Sequence, residues 1–391
     1  MLEQTSGACT GLILSGGGAR AAYQVGVLSV LAELLPDGAS NPFPVICGTS
    51  AGAINALALA TNAHNFGAGV ARLQQVWSAF SCDQVYRSDW PGVSAQAWRW
   101  VRANLLGAPS KQPTALLDNA PLRRLLQRTL HFGQVDEALQ AGLLRAVSVN
   151  AFGYQSAESV SFYQGRERIQ PWSRHRRVGV QTRLGLEHLM ASSAIPLVFP
   201  PVQLNREWFG DGAVRQQAPI SPALHLGANR VLVIGVSDNL ANQPAGGRRG
   251  PRLRTALPPT LAQIGGHLLS STFVDNLEAD IELLERMNKL ADYLPVGARM
   301  NGKGLRKVDV EIISPSEPLD IIAARHRKLL PRSLRAFLRG SGVTRASGGS
   351  VVSYLLFEAD YTRELIALGR RDALAKRDQL QRFLSLPPTL E

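Results

Sequence analysis

The chain has 391 residues, of which 45% are hydrophobic and 18% are charged, and it contains 36 glycines and 23 prolines. That apolar fraction excludes a wholly disordered chain, and the length is typical of one large or two modest domains. Lysine and arginine exceed aspartate and glutamate by 42 to 30, which gives a formal net charge of +12 at pH 7. The positive charge suggests an anionic partner, either nucleic acid or a membrane surface, and composition alone does not choose between them.

The cysteines and the N-terminal residues bear on the compartment. Cys9, Cys47 and Cys82 are too few and too scattered for a disulfide framework or a cysteine-based zinc site. The first ten residues contain Glu3 and no basic cluster ahead of an apolar segment, which is unlike a signal peptide. No segment reaches the roughly 20 apolar residues that span a bilayer. We therefore expect a cytoplasmic protein, soluble or peripheral on the inner face of the membrane.

The hydrophobic pattern predicts an α/β fold. Short apolar segments at 11–15 and 44–47 are predicted strands, and each leads through small residues into a helical pattern, at 19–35 and from Ala51 onward. Strand, glycine-rich turn and helix, repeated twice, is typical of a parallel sheet covered by helices. Further strands are predicted later in the chain, at 143–150, 159–163, 230–236 and 308–313.

The predicted organisation has three parts. Residues 9–225 carry the sequence motifs and form a core, residues 226–318 complete its sheet, and residues 319–391 form a basic, helical C-terminal region. Within the second part, residues 239–259 contain a glycine pair and four arginines and are predicted to be an exposed loop. A helix is predicted at 273–294.

The segment Gly48-Thr-Ser-Ala-Gly52 matches the G-x-S-x-G pattern of a nucleophile elbow. In such an elbow a strand turns sharply into a helix and presents the serine hydroxyl, so only small residues fit beside Ser50. The N-terminus of the following helix directs N–H groups and the positive end of its dipole at the serine. We therefore predict that Ser50 is a nucleophile.

A serine hydroxyl needs a base that removes its proton. None of the seven histidines lies in a recognisable turn after a late strand. Asp211 stands between Gly210 and Gly212, directly after two aromatic residues. A backbone with glycine on both sides lets another group approach the aspartate closely. Because Asp-Gly is also a common turn dipeptide, a catalytic base and an ordinary turn are both open for Asp211 at this point.

Three consecutive glycines, Gly16, Gly17 and Gly18, follow the first predicted strand, and their N–H groups are suited to an oxyanion hole. The segment from Gly16 to Ala21 also matches the G-x-G-x-x-A pattern of dinucleotide-binding folds. That pattern expects an acidic residue at the end of the next strand, about 20 residues further on. The next strand ends at 47–50 without one. The sequence therefore favours the oxyanion hole, and we expect no cofactor.

Taken in order, Gly16-Gly-Gly-Ala-Arg20, Gly48-Thr-Ser-Ala-Gly52 and Asp211-Gly-Ala213 resemble the three signature blocks of the patatin-like phospholipase family, in its bacterial form. Residues 191–202 resemble a further block. The resemblance implies a three-layer α/β/α core with a mainly parallel sheet, and hydrolysis of lipid acyl esters by a Ser50–Asp211 dyad without histidine or metal. It also implies that the first glycines hold the oxyanion, that Arg20 lies near the phosphate or oxyanion charge, and that three further glycines support the site: Gly48, Gly52 and Gly212.

The implied activity is that of a phospholipase A or a lysophospholipase, with an acyl thioesterase or a neutral-glyceride lipase less favoured. A non-catalytic lipid- or protein-binding scaffold on the same fold is the alternative from another class, and the presence of Ser50, Asp211 and the glycine block together argues against it. Nucleic-acid binding rests on charge alone, since no zinc pattern, helix-turn-helix or aromatic RNA-binding signature accompanies it. The expected partner is a lipid substrate and not a nucleic acid, and no feature of the sequence specifies an oligomeric state.

Residues 323–345 carry seven basic residues and no acidic one, and the apolar residues of this segment fall on one face of a predicted helix. A basic amphipathic helix is typical of binding to anionic membranes, at about 1 kcal/mol per basic residue. A helix packed on the core with a solvated basic face fits the same pattern. Three tryptophans beside arginines at 90–102 similarly suit either a lipid interface or a buried helix. The predicted membrane contacts are Arg332, Arg335, Phe337 and Arg339.

Overall fold

The computed structural model describes most of the chain. The described residues are 9–89, 115–166, 169–216, 218–237, 276–293, 307–340 and 349–386. The tryptophan-rich segment at 90–102 and the predicted loop at 239–259 lie outside these ranges. The side chains of residues 337–340 lie outside them as well, although the backbone there is helical.

A mixed sheet forms the centre of the molecule. Its strands are β1 Thr10–Leu14, β2 Val45–Thr49, β3 Ala146–Gly153, β4 Ser159–Gly165, β5 Trp172–Arg174, β6 Arg177–Gln181, β7 Val202–Leu204, β8 Glu207–Asp211, β9 Arg230–Ile234 and β10 Asp309–Ile313. Eight of them lie in the order β10-β9-β1-β2-β3-β4-β6-β5, while β8 pairs with β3 and β7 pairs with β8. The first five strands of that order run parallel, so their carboxyl ends meet at one edge.

Helices cover the sheet and form the C-terminal region. They are α1 Ala22–Leu34, α2 Ala51–Thr61, α3 Phe66–Ser78, α4 Cys82–Val85, α5 Ala120–Thr129, α6 Gly133–Gln140, α7 Leu186–Ser192, α8 Ser221–His225, α9 Asn276–Asp292, α10 Leu319–His326, α11 Arg332–Gly340, α12 Gly349–Leu355, α13 Ala359–Ala375 and α14 Arg377–Phe383. The predicted fold class, a mainly parallel sheet with helices and a helical C-terminal region, is confirmed. The division into three parts stays a prediction, and β9 and β10 of the second part pair in parallel with β1.

Side chains of the central strands alternate between two hydrophobic clusters. Leu12, Leu14 and Ile46 belong to the larger cluster, whereas Ile13 and Val45 belong to the smaller one. Because successive side chains of a strand point to opposite faces, the sheet is covered on both sides. This double burial explains why the strand segments are continuously apolar in sequence and do not alternate with polar residues.

The C-terminal region packs on α1 through two glycines. A Cβ atom added at Gly26 would lie 2.0 Å from the carbonyl oxygen of Ile366, and one added at Gly369 would lie 2.1 Å from the carbonyl oxygen of Tyr23. The backbones of α1 and α13 therefore approach to a distance that only glycine allows. Within the described ranges, no helix is long and apolar enough to cross a bilayer.

Replacing Gly369 by alanine should lower the free energy of unfolding by about 1–3 kcal/mol, because the added methyl group would push α13 away from α1. Gly133→Ala, at the start of α6, is the matched control, since a Cβ there meets no atom within 4 Å and alanine is the better helix former. Chemical denaturation measures both variants. Parental stability in Gly369→Ala would show that the two helices can separate without cost.

Candidate active site

Ser50 lies at the sharp turn between β2 and α2. Its φ and ψ angles are 54° and −129°, a conformation that non-glycine residues rarely adopt and that stores strain. The turn is closely packed on both sides. A Cβ at Gly48 would lie 2.5 Å from the Cα of Ala53, and one at Gly52 would lie 2.3 Å from the carbonyl oxygen of Leu14. These contacts leave room only for glycine at both positions.

Asp211 ends β8 and accepts a hydrogen bond from the hydroxyl of Ser50. The distance between Ser50 Oγ and Asp211 Oδ2 is 2.5 Å. The other carboxylate oxygen, Oδ1, accepts the N–H of Ala213 at 2.9 Å. Asp211 pairs with Ala151 where β8 meets β3, and β3 is the neighbour of β2. The sheet therefore joins two residues that are 161 positions apart in the chain.

The carboxyl group of Asp211 is fully buried. Burial raises the pKa of Asp211 to about 7, although the hydrogen bonds from Ser50 and from the N–H of Ala213 act in the opposite direction. General-base catalysis is most effective when the pKa of the base lies near the working pH. The environment of Asp211 thus gives an aspartate the basicity that a histidine ordinarily supplies.

A second set of hydrogen bonds fixes the backbone of the elbow. The N–H of Ser50 donates to Ser192 Oγ at 2.8 Å, and the Ser192 hydroxyl donates to the carbonyl of Asn150 at 2.6 Å. The Asn150 amide donates to Thr49 Oγ1 at 3.0 Å. Neither Ser192 nor Asn150 is predicted as a site residue from the sequence. Two features of the sequence could have indicated them: Ser192 lies in the 191–202 block, and Asn150 lies near the end of a buried strand.

The three consecutive glycines pass directly against the elbow. A Cβ at Gly16 would lie 3.1 Å from the Cβ of Ser50, and one at Gly17 would lie 2.4 Å from Cγ2 of Val236. Gly18 has a φ angle of +54°, which favours glycine. Gly212 is similarly constrained, because a Cβ there would lie 2.2 Å from the carbonyl oxygen of Asn150. In both glycine segments, either the lack of room for a Cβ atom or the backbone conformation thus favours glycine.

Arg20 is buried and contacts the C-terminal region. Its Nε donates to Ser353 Oγ at 2.8 Å, and its guanidinium carbon lies 4.3 Å from the ring centroid of Tyr354. A Cβ at Gly18 would lie 2.3 Å from the carbonyl oxygen of Tyr354. Helix α12 therefore packs directly on the glycine segment. The guanidinium group is directed at α12, and the position near the phosphate or oxyanion charge that the family resemblance implied stays a prediction.

A buried amide network links the glycine segment to α2 and α3. Gln24 Nε2 donates to the carbonyl of Ser15 at 2.8 Å, and Asn55 Nδ2 donates to Gln24 Oε1 at 2.9 Å. Trp77 Nε1 in turn donates to Asn55 Oδ1 at 2.9 Å. A buried network whose members are hydrogen-bonded to one another specifies a unique packing. The loop that carries the glycines is therefore held by the same side chains that join α2 to α3.

A largely apolar cleft opens beside Ser50. The predicted membrane contacts lie elsewhere, on α11. Leu334 of this helix and Leu330, just before it, are buried in the main hydrophobic cluster, and Arg332 is exposed. No group of three or more histidine, cysteine, aspartate or glutamate side chains among the described residues is arranged to hold a metal ion.

Comparison with known proteins identifies a family. A family model described as patatin-like phospholipase matches residues 12–224, which is more than half of the chain and includes Ser50 and Asp211. Among solved structures, the chain is similar to VipD from Legionella pneumophila, with 13% identity over 92% of this chain and 67% of that chain and a TM-score of 0.32.

It is also similar to a chain of the complex of full-length SpcU with full-length ExoU, from the type III secretion system of Pseudomonas aeruginosa. The identity is 14% over 96% of this chain and 79% of that chain, with a TM-score of 0.27. A comparison with curated protein sequences finds no match.

The raised pKa of Asp211 predicts a pH-dependent effect of Asp211→Asn on stability. Below about pH 4 the carboxyl is protonated in both the folded and the unfolded state. As the pH rises towards 7 the unfolded chain loses this proton first, so the stability of the parent protein falls until the folded state titrates at about pH 7. The Asn variant does not titrate, so its stability relative to the parent should increase from pH 5 to pH 8.

Chemical denaturation at pH 5 and pH 8 measures this difference. Asp37→Asn, which changes an exposed aspartate in the turn after α1, is the control variant. If Asp211→Asn differs from the parent by the same amount at both pH values, the pKa of Asp211 is not raised.

Proposed function

This chain belongs to the patatin-like phospholipase family, and on that premise we propose that it is a serine lipid acyl hydrolase of the phospholipase A or lysophospholipase type. In this proposal Ser50 is the nucleophile and Asp211 is the general base. The observation that carries the proposal is the 2.5 Å hydrogen bond between Ser50 Oγ and a fully buried carboxylate. The pKa of about 7 for Asp211 supports proton transfer at neutral pH.

The first half of the reaction forms an acyl-enzyme. Asp211 takes the hydroxyl proton while Ser50 Oγ attacks the ester carbonyl, and the resulting tetrahedral oxyanion accepts hydrogen bonds from the N–H groups of Gly16, Gly17 and Gly18. By analogy with other oxyanion holes, loss of one donor costs about 3–4 kcal/mol. The carbonyl re-forms as the bond to the leaving alcohol breaks, and protonated Asp211 gives its proton to that alcohol.

The second half releases the fatty acid. Water gives a proton to Asp211 and attacks the acyl carbonyl, and the same glycines hold the second oxyanion. Ser50 then leaves and recovers its proton from Asp211. The strained backbone of Ser50 supports this sequence, because it presents the hydroxyl at the N-terminus of α2.

We place membrane docking on the basic face of α11. Since Leu330 and Leu334 are buried in the protein core, their apolar surface is already covered. Arg332 is exposed and Arg335 is half-buried, so the contact with lipid is electrostatic in this proposal. Such a contact weakens with salt and requires anionic lipid.

Ser50→Ala should abolish hydrolysis of fatty-acyl esters, with kcat/KM falling at least about a thousandfold because the nucleophile is lost. Labelling by a fluorophosphonate probe should disappear with it. Ser173→Ala, which removes an exposed hydroxyl on β5, is the matched control and should keep both properties. Parental hydrolysis by Ser50→Ala would refute the assignment, and profiling of phospholipids, lysophospholipids, glycerides and thioesters with the parent protein identifies the substrate class.

Replacing Arg332, Arg335 and Arg339 together by glutamine should weaken binding to vesicles that contain phosphatidylglycerol, because each arginine near the surface contributes about 1 kcal/mol. Sedimentation with the vesicles measures the bound fraction. The matched control removes three positive charges from exposed positions on another part of the surface, Arg166, Arg174 and Arg176. Equal binding by the two triple variants would show that α11 has no special role.

A further inference from the structure

Helix α2 begins at the nucleophile and is buried along its length except on one stripe. Ile54 and Ala58 are half-buried, whereas the other residues of the helix are buried. Asn62, directly after the helix, continues the stripe at the same spacing of four residues. Residues four apart lie on one face of a helix, and Ser50, Ile54, Ala58 and Asn62 all line the cleft. At 1.5 Å per residue, the stripe extends about 18 Å from Ser50 to Asn62.

Two further helices form the sides of the cleft. Helix α3 contributes Leu73 and Val76, and α5 contributes Leu122 and Leu126. These side chains are aliphatic. The backbone N–H and C=O groups of the same residues are hydrogen-bonded within their own helices. Side chains of α2, α3 and α5 thus make much of the lining apolar, and Ser50 lies where the half-buried stripe of α2 begins. We call the cleft along this stripe the slot.

The other end of the slot is polar. Its lining there includes Asn62, Gly69 and Arg72, and a Cβ at Gly69 would lie 2.9 Å from the Cβ of Asn62. The indole of Trp77, later in α3, reaches back to Asn55, so α3 runs antiparallel to α2. Arg72, the one basic residue among the described residues of the lining, thus lies near the Asn62 end and away from Ser50.

The length and polarity of the slot fit one fatty-acyl chain. The hydrocarbon core of a bilayer is about 30 Å thick, so a membrane-lipid chain extends about 15 Å in each leaflet. A chain whose ester carbonyl lies at Ser50 would run along α2 and end near Asn62. Among the described residues of the lining, none next to Ser50 is a cation, so we place a phosphate head group outside the slot, on the opposite side of the ester.

We infer that the cleft binds a single long acyl chain along α2, and that Ala58 is the residue that sets the accepted chain length. Ala58 lies about 12 Å from Ser50 along the helix, and its small side chain keeps the slot open beyond that point. The inference rests on the proposed function for the position of the ester carbonyl. It adds that the preferred substrates are long-chain esters and that a second chain of a diacyl lipid lies outside the slot.

Ala58→Phe should close the slot beyond Ile54. The ratio of kcat/KM for a palmitoyl ester to that for a butyryl ester should fall at least about tenfold, since hydrophobic pockets discriminate single methylene groups by ten-fold or more. The four-carbon chain ends before Ala58 and serves as the internal reference. Ala71→Phe, the same substitution at an exposed position of α3, is the matched control and should leave the ratio unchanged. Ala58→Leu should give a smaller fall and decides the matter if the phenylalanine variant does not fold.

Binding of the 18-carbon fluorescent fatty acid cis-parinaric acid separates this inference from the catalytic one. In a Ser50→Ala background, Ala58→Phe should lose this binding and Ala71→Phe should keep it. If the parent protein hydrolyses no ester but the variants show this binding pattern, the proposed catalysis is refuted and the acyl-chain site is supported. If the parent hydrolyses esters, and Ala58→Phe and Ala58→Leu both keep the parental ratio of kcat/KM for the palmitoyl and butyryl esters, the acyl-chain site along α2 is refuted. The catalytic proposal is then unaffected.

Discussion

The basicity of Asp211 towards the Ser50 hydroxyl depends on keeping its carboxyl group out of water. Burial of an ionised carboxylate costs free energy, and at this site the cost takes the form of a pKa of about 7. The sheet imposes that burial, because β8 pairs with the end of β3 and carries Asp211 under the elbow. An exposed aspartate at the same distance would be a much weaker base. The depth of Asp211 therefore matters as much to the proposed chemistry as its distance from Ser50.

The elbow joins the proposed chemistry to lipid recognition through one helix. Ser50 holds a strained conformation, and Gly48, Gly52 and the hydroxyl of Ser192 hold that conformation in place. The helix that starts there, α2, presents its half-buried stripe to the cleft. A shift of this helix would move the nucleophile and the floor of the cleft together. In our proposal the acyl chain and the reacting hydroxyl consequently share one rigid support.

Much of the fold follows from local sequence, and the remainder depends on distant contacts. β1, β2 and β9 are apolar runs buried on both faces, so their strand character is visible without neighbours. β8 is different, because its pairing with β3 defines it and the sequence marks only the Asp-Gly turn at its end. Ser192 lies 142 positions from its partner Ser50, and Asn150 lies 101 positions from Thr49. Such contacts leave no periodic signal, so the sequence predicts the dyad and its supporting glycines but neither Ser192 nor Asn150.

The C-terminal region is coupled to the glycine segment, although the family match ends at residue 224. Ser353 and Tyr354 bind the Arg20 guanidinium, and the carbonyl of Tyr354 packs against Gly18. Helix α1 follows the glycine segment directly and packs on α13 at glycine-only distances. Because oxyanion donors act through a preorganised position, a displacement of α12 or α13 would reach the proposed donors without touching Ser50 or Asp211. The basic, helical end of the chain is in this sense part of the framework of the proposed site.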